Sequence, residues 1–137
     1  MDYPLVLEPE GDAWLVDFVD VPEAHTVVYD LNALQKAALD AFDSALELYT
    51  ETKRPIPLPS SKQHGQQALY VPTTVAAKIH LYNEWLRSGL SKRELAERMG
   101  VKPPALIRLF NFRYRSRVES IEAALDALGK HLEIAVT

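Results

Sequence analysis

The 137 residues are 47% apolar and 25% charged, a globular balance that allows one ordinary domain or two very small ones. With no cysteine, disulfide frameworks, cysteine-ligated metal sites and a cysteine nucleophile are excluded, and no apolar run reaches the ~20 residues that span a bilayer. The net charge of −4 divides unevenly: residues 1–72 carry 12 acidic and 4 basic groups, a balance of −8, and residues 73–137 carry 7 and 11, a balance of +4.

Met1-Asp2-Tyr3-Pro4 has no basic or apolar leader character, so the expected compartment is the cytoplasm, with no membrane partner. Tyr3, Leu5 and Leu7 alternate with Pro4, Val6 and Glu8, and Trp14, Val16 and Phe18 alternate with Leu15, Asp17 and Val19. Pro9-Glu10-Gly11-Asp12 between them is a turn by composition, so the two runs predict a hairpin. Thr26 to Tyr29 is a third short strand. From residue 30 the period changes: Leu31, Leu34, Ala38, Phe42, Ala45 and Tyr49 step by three or four and share one helix face, with Asp30 as its cap and an end near Thr52. Alternate prolines at 55, 57 and 59 forbid helix and regular ladder, so the Pro-rich segment 52–66 reads as extended, linker-like chain. Gln67 to Val71 is one more strand, stopped by Pro72. Residues 1–72 thus predict a small antiparallel sheet with one helix.

Residues 73–137 predict helices with clear punctuation. Val75, Ile79, Tyr82 and Leu86 share a face, and Gly89 suits a left-handed terminator. Ser91-Lys92-Arg93-Glu94 is a capping box, with Leu90 and Leu95 in the staple positions. Gly100 ends that short helix, Val101 is expected to plug the core, and Pro103 and Pro104 fit only a first helical turn. Leu106, Leu109 and Phe110 form the next stripe. Ser116-Arg117-Val118-Glu119 reads as a second capping box ahead of Ile121, Leu125 and Leu128, closed by Gly129. In the tail, Leu132, Ile134 and Val136 alternate as in a short strand that can pair across a two-fold axis. The fold class is therefore α+β.

A short capped helix, a glycine turn and a second short helix describe a helix-turn-helix, with small Ala96 where the helices cross. Basic residues gather around it. The expected nucleic-acid contacts are Lys92, Arg93, Lys102, Ala105, Arg108 and Asn111, with Arg113, Arg115 and Arg117 in the following loop placed to clamp phosphates. The exposed start of the second helix offers few base-reading donors, so phosphate binding is easier to argue than sequence readout. A protomer this small suggests a dimer on two half-sites. In the first half no catalytic constellation emerges. Asp17, Asp20 and Glu23 are three carboxylates close in sequence, but strand and loop separate them. His25, His64, His80 and His131 are scattered, and no glycine-rich phosphate loop is present. No metal, cofactor or enzyme activity is expected.

Several segments resemble the two-domain HicB-type antitoxins: Phe18-Val19-Asp20-Val21-Pro22-Glu23, Ile56-Pro57-Leu58-Pro59-Ser60, Val71-Pro72, Ile107-Arg108-Leu109-Phe110-Asn111 and Ala127-Leu128-Gly129-Lys130, in that order. The likeness covers essentially the whole chain. It implies a first domain like a degenerate, inactive ribonuclease H, which binds and masks a HicA-type toxin, a small basic mRNA-cleaving protein. It implies a second domain of the Xre or lambda-repressor type that represses its own operon on operator DNA. The acidic first half suits a basic toxin, and Asp17, Asp20 and Glu23 are the carboxylates offered to it. Lys92 stands where such motifs often carry a Gln, and Pro103 and Pro104 replace polar residues at the start of the recognition helix.

Overall fold

The computed structural model describes residues 1–137 and divides into two compact units, Met1–Pro72 and Thr73–Thr137. That boundary lies where the charge balance reverses.

In the first unit, β1 (Asp2–Glu10) and β2 (Ala13–Phe18) form the expected hairpin, in a register that sets Glu10 opposite Ala13. The turn is tighter than composition suggested, with Pro9 and Glu10 inside β1 and Gly11-Asp12 alone making the reversal. Gly11 has φ +61° at the first central position, where a type II′ turn needs glycine. β3 (His25–Val28) begins and ends one residue earlier than predicted, leaving Tyr29 exposed, and β4 (Gln67–Tyr70) closes the sheet. The order is β3-β2-β1-β4 and every pairing is antiparallel.

The chain enters the helical segment through a 3-10 turn, Leu31–Ala33. Asp30 caps that turn, its Oδ1 accepting from Asn32 N–H at 2.9 Å, rather than the α-helix itself. Leu31 is accordingly exposed, and α1 (Leu34–Glu51) buries Leu34, Ala38, Phe42, Ala45, Leu46 and Tyr49. These side chains lie on the sheet face made by Tyr3, Leu5, Val16, Phe18, Val28 and Leu69, all buried. Phe42 is the hub, with its ring centroid 4.6 Å from Tyr3 and 5.6 Å from Phe18.

The proline segment is extended, as expected, but it is packed rather than linker-like. Ile56 is buried between prolines, the Tyr3 hydroxyl donates to Pro57 C=O at 2.8 Å, and Ser60 is tied to Asp20. An apolar residue inside the proline run was the signal for this docking. β4 is an outer strand, and α1 services its free edge. Gln35 Nε2 donates to Ala68 C=O at 2.8 Å, while Gln35 Oε1 accepts from Tyr70 N–H at 3.1 Å.

The second unit contains α2 (Thr73–Ser88), α3 (Lys92–Met99), α4 (Pro103–Leu109) and α5 (Val118–Ala127). Ile79, Leu81, Tyr82, Leu95, Ala96, Leu106, Leu109, Ile121, Ala124 and Leu125 form its core. The first capping box is present in both directions: Glu94 N–H donates to Ser91 Oγ at 3.0 Å, and Ser91 N–H donates to Glu94 Oε1 at 3.1 Å. Backbone and hydroxyl donors from Ser91 hold the Glu94 carboxyl below its ordinary range. Ser91→Ala removes one bond of this pair and should cost ~1 kcal/mol. Thermal unfolding of the full chain should show the helical unit melting about 4–8 °C lower, with the sheet unit unmoved. An unshifted midpoint would show that α3 does not depend on its cap.

Two expectations fail here. The second capping box does not form, because Arg117 with extended backbone is the N-cap of α5 and makes no side-chain cap bond. Ser116 thus falls one residue outside the helix, its Oγ buried without a partner, and Ser120 rather than Glu119 occupies the third helical position. Glu119 still lies in the first turn, where its charge favours the positive helix end. The tail strand is also absent: residues 130–137 join no ladder, with Ile134 and Val136 exposed. Alternation supplies a two-sided segment but not a neighbouring strand, and an isolated strand leaves its backbone groups unpaired.

Candidate nucleic-acid interface

α3 and α4 form the helix-turn-helix. Gly100 at φ +70° reverses the chain, and Val101 N–H donates back to Ala96 C=O at 3.0 Å. Val101 does not plug the core. It is 37% exposed and lines a cleft of about 420 Å³ together with Ala105, Leu106, Leu109, Arg108 and Arg117. Pro103 and Pro104 occupy the first turn of α4, and the Ala105 and Leu106 N–H groups both donate to Lys102 C=O, at 3.0 and 3.4 Å. The helix start therefore has no spare backbone donor for a phosphate, and anion contacts fall to side chains.

All nine residues expected at the interface are exposed: Lys92, Arg93, Lys102, Ala105, Arg108, Asn111, Arg113, Arg115 and Arg117. The structure brings Ala105, Arg108, Arg115 and Arg117 to one cleft. Arg108 is stacked, its guanidinium 5.6 Å from the Tyr114 ring centroid, which limits its rotamers. Lys92 Nζ lies 5.1 Å from the Trp85 ring and 4.8 Å from the Phe110 ring. Arg93 pairs with Glu97 at 3.5 Å, one turn on, in an exposed contact of small energetic weight. The Asn111 Oδ1 accepts from Arg113 N–H at 3.0 Å, an Asx turn that opens the arginine loop. Arg98, although basic and nearby, is turned to the C=O of Ala127, the last residue of α5, at 3.3 Å.

Sequence reasoning missed the residue that holds this surface together. Lys78 is 1% exposed, and its ammonium donates to the carbonyls of Arg108 at 3.2 Å, Asn111 at 2.7 Å and Tyr114 at 2.6 Å. One cation thus satisfies the end of α4 and the turn that leads to Arg113 and Arg115. Three acceptors match three N–H donors, and the negative end of α4 favours the positive charge. Burial pushes its pKa down to about 8, so the ammonium is still protonated at neutral pH. The available signal was positional: Lys78 is three residues after Val75 and four before Tyr82, on the face read as apolar.

The three carboxylates of the first unit do not converge. Asp17 is exposed on β2, opposite Val6 and His25. Asp20 Oδ2 accepts from the Ser60 N–H at 2.8 Å and hydroxyl at 3.0 Å. Glu23 accepts from the Tyr49 hydroxyl at 2.5 Å and pairs with Arg54 at 3.1 Å. The Tyr49 bond, with Arg54 behind it, holds Glu23 below the ordinary carboxylate range, while burial and Glu23 push Tyr49 up to about 12. Asp20 and Glu23 thus anchor the proline segment and the end of α1. No group of three or more His, Asp or Glu side chains forms a metal cluster.

Comparison with known proteins agrees with this arrangement. Residues 2–80 match the family described as HicB_like antitoxin of bacterial toxin-antitoxin system, and residues 84–134 match a helix-turn-helix family. The chain is 36% identical over 137 residues to Antitoxin HicB of Escherichia coli, covering 99% of each protein. The chain belongs to the HicB-like antitoxin family. Other members are at similar distance: it is 37% identical to Antitoxin HicB 2 of Photorhabdus laumondii, over 98% of this chain and 95% of that one, and 37% identical to Antitoxin HicB of Pseudomonas fluorescens, over 96% and 90%. Within this antitoxin family, the helix-turn-helix match spans the fold that carries Lys102, Arg108 and the arginine loop. No helix is long and apolar enough to cross a membrane.

Proposed function

We propose that the protein is a cytoplasmic antitoxin and autorepressor that acts by stoichiometric binding, without catalysis. Residues 1–72 mask a small basic mRNA-cleaving toxin of the HicA type, and residues 73–137 bind operator DNA and repress the operon encoding both. The observation that carries this reading is the coincidence of charge and structure. The −8 and +4 halves of the sequence coincide with the two compact units, and the basic one contains the helix-turn-helix. The acidic unit repels phosphates and attracts a basic protein, while the basic unit does the reverse. On DNA the protein works as a homodimer across two half-sites, and the tail, unpaired in one chain, meets the same segment of a second.

Arg108→Ala tests the division of labour. Operator affinity should fall about tenfold, with a shallower dependence on salt, while toxin binding stays at the wild-type level. Gel-shift titration over a salt series and toxin pull-down report the two activities. Equal loss of both would refute separate binding surfaces.

A further inference from the structure

The sheet has one face covered by α1 and one that α1 does not touch. Register fixes which side chains belong to the second: Val6 stands opposite Asp17, Glu8 opposite Leu15, Leu15 opposite Val27 and Asp17 opposite His25. Val6 is 39% and Val27 45% exposed, and Leu15 between them is half-buried. A β-branched and leucine stripe therefore runs across β1, β2 and β3 in solvent. Glu8 and Asp17 flank it, Glu10 continues the same face, and no Lys or Arg lies on these three strands. The four basic groups of this unit, Lys36, Lys53, Arg54 and Lys62, are on α1 or in the segment after it.

We propose that this open face of the sheet, centred on Val6, Leu15 and Val27, is where the toxin docks. The inference rests on the antitoxin reading and adds the surface and its chemistry. An apolar centre with a carboxylate rim fits a basic protein that has an apolar patch within its positive field. The carboxylates speed encounter and the aliphatic stripe supplies the desolvated contact. Nucleic acid is excluded by the same carboxylates. A second copy is disfavoured because two-fold pairing of this face brings Glu8 and Asp17 against like charges. Asp17 is thus assigned to the partner, whereas Asp20 and Glu23 are committed to contacts within the fold.

The test uses the full chain and the HicA-type toxin encoded beside it. Asp17→Lys combined with Val27→Lys reverses charge and breaks the stripe at exposed positions; Val27 is on the outer strand β3, where lysine is well tolerated, and Asp17 is solvent-exposed on β2. Asp40→Lys, on the exposed side of α1, is the matched control. The double variant should lose toxin affinity by tenfold or more and fail to rescue growth, with operator binding and thermal midpoint unchanged. The control should behave as wild type. Full toxin binding by the double variant, or a larger loss in the control, overturns the surface assignment alone. A double variant that keeps the toxin but loses self-association makes the face a homotypic interface and also overturns it. If the wild-type chain binds no toxin, the antitoxin reading fails and this inference fails with it.

Discussion

Replacing Lys78 by Met should abolish operator binding and leave toxin binding intact. Methionine keeps most of the apolar stem but removes all three donors, so the carbonyls of Arg108, Asn111 and Tyr114 lose their partner together. Removing one side of a buried charged arrangement is far more costly than replacing both, and ~3 kcal/mol is expected. That is a large fraction of what a unit this small has to spare. Urea unfolding of the full chain should show the helical unit losing stability by that amount. A variant with unchanged midpoint and operator affinity would mean that Lys78 is dispensable.

The same lysine gives a pH signature. Its pKa is 10.5 in the unfolded chain and about 8 when folded. Below pH 8 both states hold the proton, and above 10.5 neither does. Between these values the unfolded chain binds more protons than the folded one, so stability rises with pH. Wild type should therefore gain stability from pH 8 to 10 relative to Lys78→Met, which lacks the group. Tyr3 and Tyr49, both raised, oppose this only above pH 10 and are common to both proteins. A difference between the two proteins that stays flat across this range would contradict the buried ammonium.

Phe42→Ala should produce the opposite loss of function. Phe42 is fully buried against Tyr3 and Phe18, and truncating such a ring costs ~3–5 kcal/mol through lost transfer energy and the cavity left behind. For a four-stranded unit with one helix this approaches the whole stability, so toxin neutralisation should vanish while the operator is still bound. Chromatography with the toxin and a gel shift on the same preparation separate the two outcomes. Loss of both activities would show that the helical unit depends on the sheet unit for folding.

Much of this fold was legible wherever a local rule and the tertiary demand agree. The α1 stripe, the Ser91 box, Gly100 and the Pro103-Pro104 start are such places, because each is decided within one turn of chain. Failures occur where a local pattern needs something from outside itself. Ser116 and Glu119 have the spacing of a capping box, yet the chain enters α5 one residue later. The tail alternates like a strand but has no neighbour. The exposed basic residues around the helix-turn-helix were legible because charge and helix-turn-helix spacing point to the same stretch, whereas Lys78 was not. A lysine is read as surface until three carbonyls are seen around it. The three carboxylates are close in sequence, yet β2 carries only Asp17, while Asp20 and Glu23 lie beyond its end and turn to Ser60 and to Tyr49 and Arg54.

The side-chain amide of Gln35 occupies two backbone positions on the outer edge of β4, accepting at one and donating at the other as a peptide group would. The sheet therefore behaves as though it had one closed end. Growth by strand addition into an open fibre requires two receptive edges, one to give and one to receive. A sheet with a single receptive edge, at β3, can at most pair with one other strand and stop. A sheet that leaves Val6 and Val27 exposed on its open face is in this way kept from polymerising by strand addition.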